Sequence, residues 1–383
     1  MRIVHTSDWH VGKLLRGESR LDEHRRVLAE IADVTRDARA DLVLVVGDVF
    51  ESAAPSPEAE QVAWEALLAL RATGAEVVVV AGNHDHAGAF EAVRPVFAEL
   101  GIVLAGRVTR PELGGVLTRS LAGAPVHIAL LPWVQRQHVL RSEQLLELED
   151  AEGIQLYAER VRRMIERLCA DFRPDSVNLV AAHAYVRGGQ RGGGERITTL
   201  ADEYFVAPHS FPPSVSYVAL GHLHRRQRIE AGVPIWYSGS PLQVDFGDDL
   251  DPRGVNLIDV EPGLPPKVEA VALTSPARLA TIRGRLDELP SLATAARADH
   301  VRVVVDEPAR PGLADEVQTL VPNAVEITVV APERERTDRP DAREHTRHAP
   351  RDLFRSYLDN AGHAADDGLL GLFDELHDEA ASA

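Results

Sequence analysis

Apolar residues in this chain gather into short, unbroken runs, and several runs end in the same kind of residue. Ile3-Val4 leads to Asp8 and His10, residues 42–46 lead to Gly47-Asp48, and residues 77–80 lead to Gly82-Asn83-His84-Asp85. Residues 177–180 lead to His183, and residues 215–220 lead to Gly221-His222-Leu223-His224. Short β-branched runs bounded by glycine predict buried strands. Residues 21–39 and 56–73 mix apolar and charged positions at helical spacing and predict helices. Strand alternating with helix predicts a layered α/β fold. In such folds, sites form in the loops beyond the carboxyl ends of strands, so five strands ending in polar residues can aim them into one pocket.

The texture changes near residue 275. Residues 300–305 predict a strand, 313–320 a helix and 324–330 a second strand, which makes 276–330 a small second domain after a main domain of residues 1–275. Residues 331–350 are charged, proline-bearing and poor in apolar groups, the composition of a flexible linker. Residues 351–383 turn amphipathic again. Leu353, Phe354, Tyr357 and Leu358 share one helical face, and Leu369, Leu372, Phe373 and Leu376 share another. A helix pair tethered in this way is expected to dock its apolar face on a partner.

Charge and cysteine content narrow the field. The chain has 383 residues, 45% of them hydrophobic, and a formal net charge of -18. That charge argues against coating nucleic acid through bulk basicity. It does not exclude a nuclease, because carboxylates that bind metals add to the negative count and their cations reverse the local field. The only cysteine, Cys169, rules out an internal disulfide and a thiolate zinc cage. No apolar run is long enough to span a membrane, and the first residues lack signal-peptide character. A cytoplasmic protein is expected.

The strand-end residues carry the chemistry. Asp8-x-His10, Gly47-Asp48 and His183 are each weak signals alone. Gly82-Asn83-His84-Asp85 is stronger, because adjacent Asn and His after a buried strand are costly unless used. In Gly221-His222-Leu223-His224 two imidazoles one residue apart on an extended chain point the same way. Together they form a nitrogen and oxygen donor set without thiolate, suited to Mn²⁺, Fe²⁺ or Zn²⁺. The number of donors suggests two metals bridged by a carboxylate, as in phosphatases and nucleases.

These motifs resemble the calcineurin-like metallophosphoesterases. The segments HTSDWHVGK (5–13), GDVFESAAPSP (47–57), AGNHD (81–85), AAHAYV (181–186), YVALGHLHRRQ (217–227) and YSGSPLQVDFG (237–247) are similar to the bacterial SbcD nucleases. The resemblance implies an α-β-β-α sandwich, a small α+β capping domain and a C-terminal helical tail. It implies one metal on Asp8, His10, Asp48 and His224, and a second on Asp48, Asn83, His183 and His222, with Mn²⁺ the expected ion. It implies that His84 is the catalytic histidine and that Asp85 stands behind it and orients its ring. It also implies DNA ends as substrate, a coiled-coil SbcC-like ATPase as partner of the tail, and a homodimer within a heterotetramer.

Two other segments bear on substrate. The glycine-rich stretch 186–196 carries Arg187 and Arg191, and Arg225 follows the histidine pair; all three are candidates for DNA phosphate contacts. Glu51 reads as a solvated loop acid, and Trp133 as packing. Two other functions fit parts of the pattern. One is a small-molecule phosphodiesterase or phosphatase, which needs neither the small domain nor the tail. The other is a non-catalytic scaffold, which the full donor set disfavours.

Overall fold

The computed structural model describes residues 1–140, 150–192, 205–248, 252–330, 350–360 and 366–382. The first half of the chain alternates strand and helix: β1 (Arg2–Thr6), the short pair β2 (Leu14–Leu15) and β3 (Glu18–Ser19), α1 (Leu21–Asp37), β4 (Leu42–Val46), α2 (Pro57–Ala72), β5 (Glu76–Val80), α3 (Ala87–Glu99) and β6 (Ile102–Ala105). Strands β1, β4, β5 and β6 run parallel in that order. Helix α2 starts where Ser56 accepts from the Ala59 amide and Pro57 takes the first helical position, where a missing N–H costs nothing.

The second half builds another sheet from β7 (Val116–Leu121), β8 (Ala124–Leu131), β9 (Val177–His183), β10 (Tyr217–Gly221), β11 (Gln227–Ile229) and β12 (Ile235–Tyr237). Its order is β11-β12-β10-β9-β8-β7, with the short α4 (Arg136–Val139) and the long α5 (Asp150–Leu168) following β8 in the chain. Strands β13 (Gly254–Asp259) and β14 (Lys267–Ala272) return to the first sheet, β13 pairing antiparallel with β1.

Alternation along the strands explains the layers. In β4, Leu42, Leu44 and Val46 pack with Ile128, Leu179 and Ala219 between the two sheets. Val43 and Val45 face the other way, onto α1 and α2 through Ile31 and Leu67. On the second sheet Val180 and Val218 pack under α5 through Val161 and Ile165. The result is the helix-sheet-sheet-helix sandwich implied by the resemblance.

Beyond β14 lies a three-stranded parallel sheet, β15 (Leu279–Gly284), β16 (His300–Val305) and β17 (Ala324–Val329), with α6 (Leu289–Ala296) and α7 (Leu313–Leu320) as its connections. It holds one strand and one helix more than the pattern predicted. Residues 279–284 alternate buried and open positions around Thr281 and Arg283, too weakly apolar to read as a strand. Its own core is Ile282, Leu289, Val301, Val303 and Val317.

Helices α8 (Pro350–Asn360) and α9 (Asp367–Ser382) form a unit of their own. Phe354 and Phe373 stack with centroids 4.3 Å apart, and Arg351 pairs with Asp374. Those two aromatics therefore serve the helix pair itself. Tyr357, Leu369, Leu372 and Leu376 are exposed, while Leu358 is buried. Residues 331–349, most of the expected linker, lie outside the described residues. Among the described residues no helix is long and apolar enough to cross a membrane.

Candidate metal centre

Strands β1, β4, β5, β9 and β10 all end at one place, and their last residues or the next few turn inward. The polar side chains there are buried: Asp8, His10, Asp48, His183 and His224 are each at most 3% exposed. His10 Nε2 lies 3.1 Å from His224 Nε2 and 3.9 Å from Asp48 Oδ2. Asp48 Oδ2 is 3.5 Å from His183 Nε2, which is 2.9 Å from Asn83 Oδ1. Asn83 Oδ1 is also 2.8 Å from His222 Nδ1. Asp48 thus stands between His10 on one side and His183 on the other. The donors expected from the sequence converge into one cluster.

The backbone that aims them is not extended. Asp8, His10, Asp48 and His222 have φ of 55°, 49°, 49° and 108°, in the left-handed region where residues other than glycine are uncommon. The expectation that the G-H-x-H pair is presented from extended chain is therefore corrected at His222, and Asp8 and His10 share the left-handed backbone. His222 and His224 turn to different partners, Asn83 and His10, so the pair is split across the cluster. Such strain persists only where surrounding contacts fix it. Here Asp8 N–H donates to the Gly47 carbonyl, and Asp8 accepts from the His222 amide and from Ser7. Ser240 donates to the Asp8 carbonyl, and Ser238 bonds Ser7, so the YSGSP segment buttresses the first aspartate.

Two of the imidazoles have their outer nitrogen committed. His183 Nδ1–H donates to the Val46 carbonyl. His10 Nδ1–H donates to Glu51 at 2.9 Å, since a carboxylate only accepts. His224 Nδ1 lies 3.6 Å from Asp248 Oδ1, an ion-pair separation and not a hydrogen bond. His10 Nε2, with its proton on the other nitrogen, points its lone pair at His224 Nε2 3.1 Å away, so both nitrogens are placed to share one cation. Second carboxylates behind ligand histidines fix tautomer and ring orientation in this way.

The electrostatics point to the same need. Burial lowers His222 to about 3 and also holds His10 below its ordinary value. Burial raises Asp8, whereas at Asp48 the adjacent His183, His10 and His84 outweigh burial and hold the carboxyl well down. Burial works against a charge on His183 too, but Asp48 and Asp8 outweigh it and raise that imidazole to about 9. Positive charge on His183 answers the two buried carboxylates, Asp48 and Asp8. Buried donors of nitrogen and oxygen only, meeting around two carboxylates, fit divalent cations.

Two expectations change at the rim. Asp85 does not orient the His84 ring. Its oxygens accept from the backbone amides of Val49, Phe50 and Gly82, so it ties the turn after β4 to the turn after β5. Burial and the nearby Asp48 raise its carboxyl to about 6. The ring of His84 is held instead by the Glu51 carbonyl, which accepts from Nδ1 at 2.6 Å, while its amide donates to Asp48. Glu51 is not a solvated acid. It is 18% exposed and takes hydrogen bonds from both His10 and Lys13. Burial disfavours its charge, yet His10 and Lys13 outweigh that and bring it down to about 2. Trp133 does pack, but on the cluster: its indole stacks on His222 with centroids 5.1 Å apart.

The arginine candidates have protein partners. Arg187 lies over the Phe205 ring at 3.9 Å, and Arg225 donates to Gln190. Arg191 is exposed, in a loop whose continuation, 193–204, lies outside the described residues.

Comparison with known proteins agrees with this geometry. Residues 1–226 match the family model "Calcineurin-like phosphoesterase", and residues 275–361 match "Type 5 capsule protein repressor C-terminal domain". The chain is 36% identical to the SbcD subunit of nuclease SbcCD from Bacillus subtilis over 72% of its own length and 70% of that protein. It is 34% identical to the protein of the same name from Rhodobacter capsulatus, covering 70% of this chain and 68% of that one. A third such relative, from Staphylococcus epidermidis, is 27% identical over 68% of this chain and 66% of its own. The chain belongs to the calcineurin-like phosphoesterases and, within them, to the SbcD family of nuclease subunits.

Proposed function

We propose that this chain is the nuclease subunit of an SbcCD-type complex, hydrolysing DNA phosphodiester bonds as a 3′–5′ double-strand exonuclease and single-strand endonuclease. The observation that carries the reading is the convergence of buried Asp and His donors, with Asn83 and His222 at their open side, at five strand ends in a chain of this family. Asp8, His10, Asp48 and His224 would hold one Mn²⁺, and Asp48, Asn83, His183 and His222 a second. Bound divalent ions would supply an activated water and charge stabilisation at phosphorus. The chain's own residues do the rest. Asp48, between the two histidine sets, fixes their separation. Glu51 keeps His10 in one tautomer through its carboxylate and holds His84 through its carbonyl. With Nδ1–H held by the Glu51 carbonyl, the imidazolium form of His84 would carry a second proton on Nε2, give it to the departing sugar oxygen and be left as the neutral ring. Trp133 covers His222 and limits water on that side.

The division of labour follows. Residues 1–275 would be catalytic, 276–330 a cap over the substrate, 331–350 a linker, and 351–383 the segment that holds a coiled-coil SbcC-like ATPase. Leu353 and the exposed Tyr357, Leu369 and Leu376 are the contacts expected there, while Leu358 is already buried. A homodimer within a heterotetramer, working in the cytoplasm on DNA ends during repair, replication and recombination, completes the reading. Linear duplexes labelled at either end and cyclic nucleotides, each offered with Mn²⁺, test the substrate. DNA cleavage is expected, and a preference for the small substrates overturns the reading. His84→Ala should keep its metal content yet cleave ~10²–10⁴-fold more slowly. Undiminished cleavage by that variant removes the acid role.

A further inference from the structure

Beside the metal cluster opens a cavity of about 960 Å³ that touches the cluster at Asn83 and Trp133 and runs away from it between α5 and the turns flanking α3 and β6. Its charges are one-sided. Among the described residues, five arginines line it, Arg107, Arg110, Arg160, Arg163 and Arg167, against one carboxylate, Asp85. Asp85 is no counter-charge, since backbone amides already hold both of its oxygens. Arg163 pairs with Glu159, and Arg160 donates to the Val139 carbonyl. Among the described residues, the guanidiniums of Arg107, Arg110 and Arg167 make no ion pair or hydrogen bond. The chain as a whole is rich in carboxylates that could pair with them, Asp and Glu numbering 59 against 41 Lys and Arg. Elsewhere many arginines find carboxylates, as Arg2, Arg16, Arg20, Arg119 and Arg283 do. Three unpaired cations kept around one cavity repel each other, and their arrangement is stabilised by an anion.

The walls describe that anion further. Much of the lining is apolar, with Val108, Val134, Met164 and Leu168 beside the indole of Trp133. Alternating apolar or aromatic surface and guanidinium matches alternating base and phosphate in an unpaired strand. The volume of the cavity suits more than one nucleotide. The cluster at its end is where a phosphodiester would be cut. We propose that this cavity receives unpaired nucleotides of the strand being cleaved, with phosphates on Arg107, Arg110 and Arg167 and a base against Trp133. The inference rests on the nuclease reading above and adds to it a single-stranded subsite. Duplex ends must therefore be opened before a strand enters.

The test uses the full-length protein in EDTA, so that nothing is cut and metals play no part. Binding of a short fluorescent oligothymidylate is followed by anisotropy across a salt series. Replacing all three residues, R107A/R110A/R167A, should weaken binding about tenfold or more at low salt. It should also reduce the slope of log affinity against log salt by about 2, since each phosphate contact on a single strand contributes roughly 0.7. A thermal melt reports whether the variant is folded, and Arg167→Glu alone, on an exposed helix position, provides a second variant expected to weaken binding. Unchanged affinity and unchanged slope in both variants overturn the proposal, whatever else the cavity holds. If the wild type binds the oligonucleotide but cleaves no DNA with Mn²⁺, the nuclease reading fails while the subsite stands as an anion site for single strands. If the wild type cleaves DNA and the variants bind like it, the subsite alone fails.

Discussion

Glu51 acts on two histidines through two different atoms. Its carboxylate accepts from His10 Nδ1, and its main-chain carbonyl accepts from His84 Nδ1. Substitution separates these functions, because only the first depends on the side chain. Glu51→Gln keeps an acceptor for His10 but removes the charge that makes the imidazole a better donor. Loss of such a carboxylate behind a ligand histidine typically weakens metal affinity about 10–100-fold. The expected outcome is a weaker Mn²⁺ isotherm by calorimetry, with turnover at saturating Mn²⁺ close to wild type because His84 keeps its carbonyl. An unchanged isotherm, or a turnover defect that excess metal does not repair, contradicts this assignment. Asp248 stands behind His224 in a similar way. Neither residue was legible as a partner in the sequence. Each is matched to its histidine only by the fold, across 41 residues for His10 and Glu51, and no spacing rule connects them.

At the level of elements, the centre depends on how closely the turns after β4, β5 and β10 approach one another. A Cβ added at Gly221 would lie 1.8 Å from the Val46 carbonyl and 2.9 Å from His183 Nδ1. One added at Gly82 would lie 2.1 Å from Asp48 Oδ1. These glycines are required by crowding between backbones, not only by turn conformation. Gly221→Ala must push β10 from β4, and overpacking of this kind costs roughly 1–3 kcal/mol or more. The expected result is a melting temperature lower by about 2–12 °C together with weaker metal binding. Gly232→Ala, whose Cβ would meet nothing within 4 Å, should be neutral. Equal melting curves for the two variants would show that the turns have room to move. The strands themselves were readable, because β-branched runs such as Val77–Val80 have few other uses. Which donors sit on left-handed backbone was not readable, since Asp8 and His222 owe that conformation to hydrogen bonds with each other's loops. The first strand of the three-stranded sheet is not legible in the sequence because Thr281 and Arg283 interrupt its apolar pattern.

The whole molecule is held together partly by neutral histidines that have no part in the metal cluster. His5, on β1 of the first sheet, bonds the Tyr217 hydroxyl and the Leu220 carbonyl of β10 in the second. It is fully buried, and burial lowers it to about 3. His24 on α1 is likewise buried and lowered to about 4. Both folded values lie below the ordinary 6.5 of the unfolded chain. The stability they contribute is therefore complete above that value and is lost as pH falls from it toward the folded values. The shift at His24 alone corresponds to roughly 3 kcal/mol, and His5 adds an amount of similar order. Protonating His5 does more than charge a core position. It converts Nδ1 into a donor facing the Tyr217 hydroxyl and places a cation between the two sheets, so acid should loosen the sandwich at its centre. Protein stripped of metal with EDTA is expected to melt at steadily lower temperature as pH is taken from about 7 to about 4. Replacing His24 by Leu, which fills part of the same space without titrating, should flatten part of that decline. A melting temperature that stays level across the range, or a variant that declines as steeply as the wild type, would mean that these rings accept protons in the folded state without penalty.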